Sequence, residues 1–296
     1  MTKNIPFTGS AVAIVTPFEG DKINFDALGE LIETQLAHKT DAIVICGTTG
    51  EASTMPDAEH LSAIDYTVRK VAGRVPVIAG TGSNDTKHAI ALTKHAEELG
   101  ADAILSVTPY YNKASQRGLI EHFRVIAEAI NIPIILYNVP SRTGMSFSIP
   151  ALKELAKIPN IVALKEASGN ISYTAKVAAE VPELYLYSGN DDMIVPVMSL
   201  GGLGVISVVA NILPEETHNL CAAFSEGNVA EARRLQLSML DLINKLFIEV
   251  NPIPIKTAMQ ILGYPVGNLR LPLCEMEESN FEILKKALDT YGVQKL

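Results

Sequence analysis

The sequence predicts an α/β protein: a closed (β/α)8 TIM barrel with a C-terminal all-helical extension. Three observations carry that expectation. Short apolar runs of about five residues recur through the first three quarters of the chain, each followed by a turn and a helix-like pattern; near-continuous apolarity is what strands covered on both faces of a parallel sheet require. There are eight such runs, the number that closes a barrel of this kind. The first is followed by Thr16-Pro17-Phe18-Glu19-Gly20, which is not the glycine-rich phosphate loop that a competing open, doubly wound sheet would call for.

In chain order, strands are expected at residues 11–15, 42–46, 75–79, 103–107, 133–137, 161–165, 184–188 and 204–207. The helices between them show periodic apolar positions; residues 89–99, for example, are stopped by Gly100 in the position a C-terminal glycine takes. No strand signal follows Ser207, and residues 215–224, 228–247, 253–262 and 278–291 read as helices. The organisation expected is a catalytic barrel over residues 1–227 and a helical extension over 228–296, with Pro214-Glu215 the only compositional hint of a boundary.

A chain of 296 residues with 48% hydrophobic content has material for a large core, and a formal charge of -9 excludes a nucleic-acid binder, which needs a basic face. The N-terminal segment before Gly9 is too short and too polar for a signal peptide, and no stretch approaches the roughly 20 apolar residues of a membrane span. A cytoplasmic protein without membrane contact is expected. Cys46, Cys221 and Cys274 lack paired spacing and read as small hydrophobes. The histidines, among them His38, His88, His95 and His122, read as solvated helix faces, and none is nominated as a base. Asp191 and Asp192 have no further ligands at useful spacing and read as caps of the next helix. Neither a metal nor a cofactor is expected.

In such a barrel the site is made from the C-terminal strand ends and the loops after them, and the unusual residues collect there. Lys165 ends the apolar run 160–164, where partial desolvation lowers an amine's pKa and frees a nucleophilic fraction. Taken alone it reads equally as a lysine snorkelling to solvent. Its neighbours favour chemistry: Thr48 and Thr49 in a glycine-flanked turn, Tyr111 after strand four, Tyr137 and Arg142 after strand five, and Gly189 after strand seven. If an amine attacks a keto acid, Lys165 forms the imine, Tyr137 shuttles protons, and a Thr48-Tyr111 pair relays them to water. Arg142 offers a planar fork for a carboxylate.

The segments Gly47-Thr48-Thr49-Gly50-Glu51, Thr108-Pro109-Tyr110-Tyr111-Asn112, Tyr137-Asn138-Val139-Pro140-Ser141-Arg142-Thr143-Gly144, Lys165-Glu166-Ala167-Ser168-Gly169-Asn170, Gly201-Gly202-Leu203-Gly204-Val205-Ile206-Ser207 and Asn251-Pro252-Ile253-Pro254-Ile255-Lys256 give the chain an end-to-end resemblance to the dihydrodipicolinate synthase family of the N-acetylneuraminate lyase-like class I aldolases. The resemblance implies a cofactor-independent Schiff-base lyase that condenses pyruvate with aspartate 4-semialdehyde in lysine and diaminopimelate biosynthesis. It implies Lys165 as the imine lysine, Tyr137 as proton donor and acceptor, and Thr48 with Tyr111 as the rest of the relay. Thr49 would bind the pyruvate carboxylate, Arg142 the semialdehyde carboxylate, and the backbones of Gly189 and Ile206 would border the pyruvate pocket. It also implies that Tyr111 reaches across an interface, in a homotetramer built as a dimer of dimers. The alternative is a pyruvate-dependent sugar-acid lyase such as N-acetylneuraminate lyase; Arg142 and Lys-Glu-Ala-Ser favour the synthase. Lysine-inhibited relatives carry an allosteric pocket matching Ala52, Asp57, His60, Asn84, His88 and Tyr110. Here Ala52, Asp57 and His88 depart from the usual serine, histidine and glutamate, so weak or absent lysine feedback is expected.

Overall fold

The structure, a computed structural model, describes residues 3–296. Strand β1 (Gly9–Ala13) opens the barrel and is followed by a small antiparallel hairpin, β2 (Phe18–Glu19) and β3 (Lys22–Ile23). The remaining barrel strands are β4 (Ala42–Ile45), β5 (Val77–Gly80), β6 (Ala103–Val107), β7 (Ile134–Asn138), β8 (Ile161–Glu166), β9 (Tyr185–Ser188) and β10 (Gly204–Ser207). Each lies parallel beside its predecessor, and β10 closes the ring on β1.

Helices α1 (Phe25–Ala37), α2 (Asp57–Val71), α3 (Thr86–Glu98), α4 (Gln116–Glu128), α5 (Pro140–Thr143), α6 (Ile149–Leu155), α7 (Ile171–Glu180), α8 (Ile194–Ser199) and α9 (Pro214–Ser225) cross over between strands or follow the last one. Three more, α10 (Val229–Lys245), α11 (Ile253–Ile261) and α12 (Glu278–Tyr291), form the C-terminal helical extension. Side chains of Asn24, Ser115, Ser148, Asn170 and Asn228 accept from first-turn amides and start α1, α4, α6, α7 and α10.

Every residue of β4 and β8 is buried, because the two faces of the sheet feed two separate cores. Outward-facing residues such as Ile43, Leu136 and Leu164 pack with Ile64, Phe123 and Leu152 of the helices. Inside the ring, Ala13, Val44, Leu105, Ala163 and Ile206 pack around Tyr137 and Tyr187. Pairing places Tyr137 opposite Lys165, and Lys165 opposite Tyr187, on three adjacent strands. At the other end Phe7 stacks on Tyr187 with ring centroids 4.3 Å apart. That contact plugs the barrel floor and leaves the C-terminal rim as the open end.

Several expectations are corrected. The first strand lies two residues earlier than 11–15, because the Val15 amide bonds to Asn211 Oδ1 at 3.1 Å instead of to a neighbouring strand. The third begins at Val77, after Pro76, which has no amide hydrogen for the ladder. Residues 16–20, which are not a phosphate loop, contain the start of the hairpin. His60 and His122 are buried rather than solvated: His60 Nε2 bonds to the Gly80 carbonyl at 2.8 Å, and His122 Nδ1 to Thr86 Oγ1 at 2.9 Å. Burial lowers the pKa of both imidazoles, His122 to about 4. Cys46 and Cys221 are buried as expected for small hydrophobes, whereas Cys274 is exposed. No helix among the described residues is long and apolar enough to cross a membrane.

Candidate active site

Lys165 is the penultimate residue of β8, and its side chain is held inside the rim, with the residue only 6% exposed. Its ammonium lies 4.4 Å from the centroid of the Tyr137 ring. Burial pushes its pKa down to about 8; the nearby Asp191 carboxylate opposes that and the Arg142 guanidinium adds to it. Roughly a tenth of such an amine is unprotonated at pH 7, against well under a thousandth of an ordinary lysine. An unprotonated amine of this kind can act as a nucleophile.

Tyr137 is the penultimate residue of β7. Burial raises its pKa, with Arg142 and the neighbouring Thr48 hydroxyl pulling the other way. A phenol kept protonated beside an amine is a proton donor within reach of any group attached to that amine.

The threonines follow β4 in a loop that is fastened from behind. Glu51 ends it in the left-handed region, with φ +57°, and its buried carboxylate accepts from Lys256 Nζ at 2.8 Å and from the Arg270 amide at 3.0 Å. Thr16 Oγ1 donates to the Gly50 carbonyl at 2.8 Å. Thr49 is buried, and its Oγ1 accepts from Asn251 Nδ2 at 3.0 Å. Arg142, on the short α5, is exposed, but its Nη2 donates to the Asn251 carbonyl at 2.9 Å. Gly189, after β9, is required by space: a Cβ there would lie 2.6 Å from Ala167 Cβ and 3.1 Å from Lys165 Cε. Any side chain there would have to shift Ala167 and press on Lys165.

These groups surround a cavity of about 410 Å³, lined by Thr48, Thr49, Tyr137, Arg142, Lys165 and Gly189. The extension closes one side of it with Ile243, Asn244, Phe247 and Asn251. A buried nucleophilic amine, a phenol donor, a hydroxyl and a guanidinium facing one small cavity can bind a keto acid and carry out imine chemistry on it.

Six of the eight residues singled out from sequence therefore meet. The other two do not join them in one chain. Ile206 lies within the inner barrel cluster of β10 and the cavity wall on that side is Val208. Tyr111 is 90% exposed, has φ +70°, and lines neither this cavity nor its neighbour. That neighbour, also about 410 Å³, shares Thr48, Tyr137 and Arg142 as a wall and is otherwise lined in part by Ala52, Asp57, His60, His88 and Tyr110. Asn84 joins this group through Nδ2 to the Tyr110 carbonyl, at 3.2 Å.

Two residues of the site were not found from sequence. Asp191, expected to cap the helix that follows, is instead buried, and its Oδ2 accepts from the Val208 and Val209 amides at 3.0 and 2.9 Å, across the loop after β10. From there its charge acts on Lys165. Asn251 belongs to a segment noted for its resemblance, yet nothing local marks it, because its partners lie some 109 and 202 residues away.

A model of the dihydrodipicolinate synthetase family matches residues 6–291. The chain is 60% identical over 288 residues to the 4-hydroxy-tetrahydrodipicolinate synthase of Acetivibrio thermocellus, covering 97% of this chain and 98% of that one. It is 59% identical, with the same coverage, to the protein of that name from Caldicellulosiruptor bescii. The crystal structure of dihydrodipicolinate synthase from Aquifex aeolicus superposes with a TM-score of 0.95 at 45% identity, over 97% of this chain and 99% of that one.

Proposed function

The chain belongs to the dihydrodipicolinate synthetase family, and we infer that it condenses pyruvate with L-aspartate 4-semialdehyde to 4-hydroxy-tetrahydrodipicolinate, as a lyase of lysine and diaminopimelate biosynthesis, with Lys165 as its nucleophile. The observation that carries the assignment of Lys165 is a buried amine with a pKa of about 8, set against the Tyr137 ring on the wall of the cavity.

Free Lys165 Nζ attacks C2 of pyruvate, and Tyr137 protonates the carbinolamine hydroxyl so that it leaves as water. The resulting iminium draws electrons from C3, whose proton is removed to give an enamine. The enamine carbon bonds to the aldehyde carbon of the semialdehyde, and the new alkoxide takes a proton. The semialdehyde's own amine then attacks the imine carbon and displaces Lys165. One carbon-carbon bond and one carbon-nitrogen bond have formed, one water has left, and the lysine is regenerated.

In this reading Thr49 holds the pyruvate carboxylate, Arg142 the carboxylate of the semialdehyde, and Gly189 with the backbone of Ile206 borders the pyruvate pocket. Thr48 links Tyr137 to the outside, and Tyr111 completes the relay of a second copy. The exposure of an aromatic ring in the isolated chain supports that exchange, and with it a homotetramer made of two dimers. Residues 1–227 are the catalytic barrel and 228–296 the extension that closes the cavity. The working compartment is the cytoplasm.

Incubation with both substrates, coupled to an NADPH-consuming reductase of the heterocyclic product, tests the reading. Turnover is expected in the wild type and absent in Lys165→Ala. Borohydride trapping of pyruvate without turnover would instead point to a sugar-acid lyase.

A further inference from the structure

Asn251 is a cavity-lining residue contributed by the extension, and its amide is only half used. The residue is 6% exposed; Nδ2 donates to Thr49 Oγ1, and the main-chain carbonyl accepts from Arg142, while Oδ1 is buried with no partner in the protein. A buried amide oxygen without a donor is unfavourable unless a ligand or an ordered water supplies one.

We propose that Asn251 Oδ1 accepts a hydrogen bond from the α-ammonium of the second substrate and thereby selects an amino aldehyde over one that lacks the amine. The proposal rests on the reading given above, in which Thr49 and Arg142 hold the two carboxylates. Three observations lead to it. Asn251 lines the cavity beside Lys165, Gly189 and Arg142. Its orientation follows from hydrogen counting: Thr49 has a single hydroxyl proton, and if that proton serves the pyruvate carboxylate, Oγ1 can only accept from Asn251, which turns Nδ2 towards Thr49 and Oδ1 away from it. Finally, of the two substrates, pyruvate carries no N–H donor, whereas the semialdehyde carries an ammonium on the carbon next to the carboxylate assigned to Arg142. The main-chain carbonyl that orients Arg142 and the side-chain oxygen left over for the ammonium therefore belong to one residue. Amine and carboxylate of a single α-carbon are read together.

The test compares aspartate 4-semialdehyde with 4-oxobutanoate, the same aldehyde with hydrogen in place of the amine, at saturating pyruvate. Asn251→Ala removes Oδ1 but keeps the carbonyl that holds Arg142. Its KM for aspartate semialdehyde is expected to rise about tenfold or more, as for a hydrogen bond to a charged group, while the inhibition constant of 4-oxobutanoate changes by about twofold or less. Asn251→Asp keeps an acceptor for the ammonium but no longer donates to Thr49; its preference for the amine is expected to persist while KM for pyruvate rises. If Asn251→Ala weakens both aldehydes equally, or neither, the residue is a structural strut and the proposal is overturned. Failure of the underlying reading looks different: the wild type itself would show neither turnover nor borohydride-trappable pyruvate on Lys165.

Discussion

Replacing Lys165 by methionine should abolish activity and make the protein more stable. The side chains have nearly the same length and the site is buried, so the change removes a charge with little change in volume. Folding moves the lysine pKa from 10.5 to about 8; at about 1.4 kcal/mol per tenfold in the proton equilibrium, the buried ammonium costs about 3 kcal/mol at neutral pH. Because the folded-state value lies below the unfolded one, the unfolded chain holds more protons between pH 8 and 10.5, and wild-type stability rises with pH through that window. Below pH 8 the cost is nearly constant. The advantage of Lys165→Met over wild type is therefore expected to be about 3 kcal/mol at pH 7 and to shrink to roughly half of that by pH 9.5. Urea unfolding followed by circular dichroism at the two pH values measures it, since the chain has no tryptophan to report by fluorescence. Equal or lower stability of Lys165→Met at pH 7, or a gap that does not narrow, would refute the assignment of Lys165 as a desolvated amine.

Gly189→Ala would place a methyl group 3.1 Å from Lys165 Cε and 2.6 Å from Ala167 Cβ; displacing the nucleophile by a fraction of an ångström to an ångström should lower kcat by about a hundredfold, and a near-wild-type kcat in the coupled assay would contradict the packing argument. Lys256→Met leaves the buried Glu51 carboxylate without its partner, so thermal or urea unfolding should show a loss of about 3 to 5 kcal/mol. Adding Glu51→Gln to it should recover part of that loss, and a double variant no better than the single would sink the explanation. In the second cavity His88 Nε2 pairs with Asp57 Oδ1 at 2.9 Å, at the position where the family resemblance implies a glutamate in lysine-inhibited relatives. L-lysine titrated into the assay should accordingly inhibit weakly or not at all, and inhibition at low concentration would contradict this.

The barrel was legible because its strands are buried on both faces, which writes them as continuous apolar runs that need no partner to be seen. The clustering of residues at the candidate site was legible for a related reason: strand ends 137 and 165 face each other by register, and the motifs around them are local. What stayed hidden depends on contacts between distant segments. Asp191 looks like a cap until the Val208 and Val209 amides are brought to it, and Asn251 is one polar residue in a loop until the extension folds over Thr49. The buried histidines were different, because their signal was present. His60 is in phase with the buried Ala63, Ile64, Thr67 and Val71 of α2, and His122 with Leu119, Phe123 and Ile126 of α4. Helical period outweighs residue type at such positions.

The most direct test of the account is to treat the protein with borohydride in the presence of pyruvate, digest it, and locate the modified peptide by mass. The account predicts a single reduced pyruvate adduct on Lys165, formed faster as the pH is raised towards 8, and no adduct in Lys165→Met. An adduct on another lysine, or none in the wild type, would contradict it.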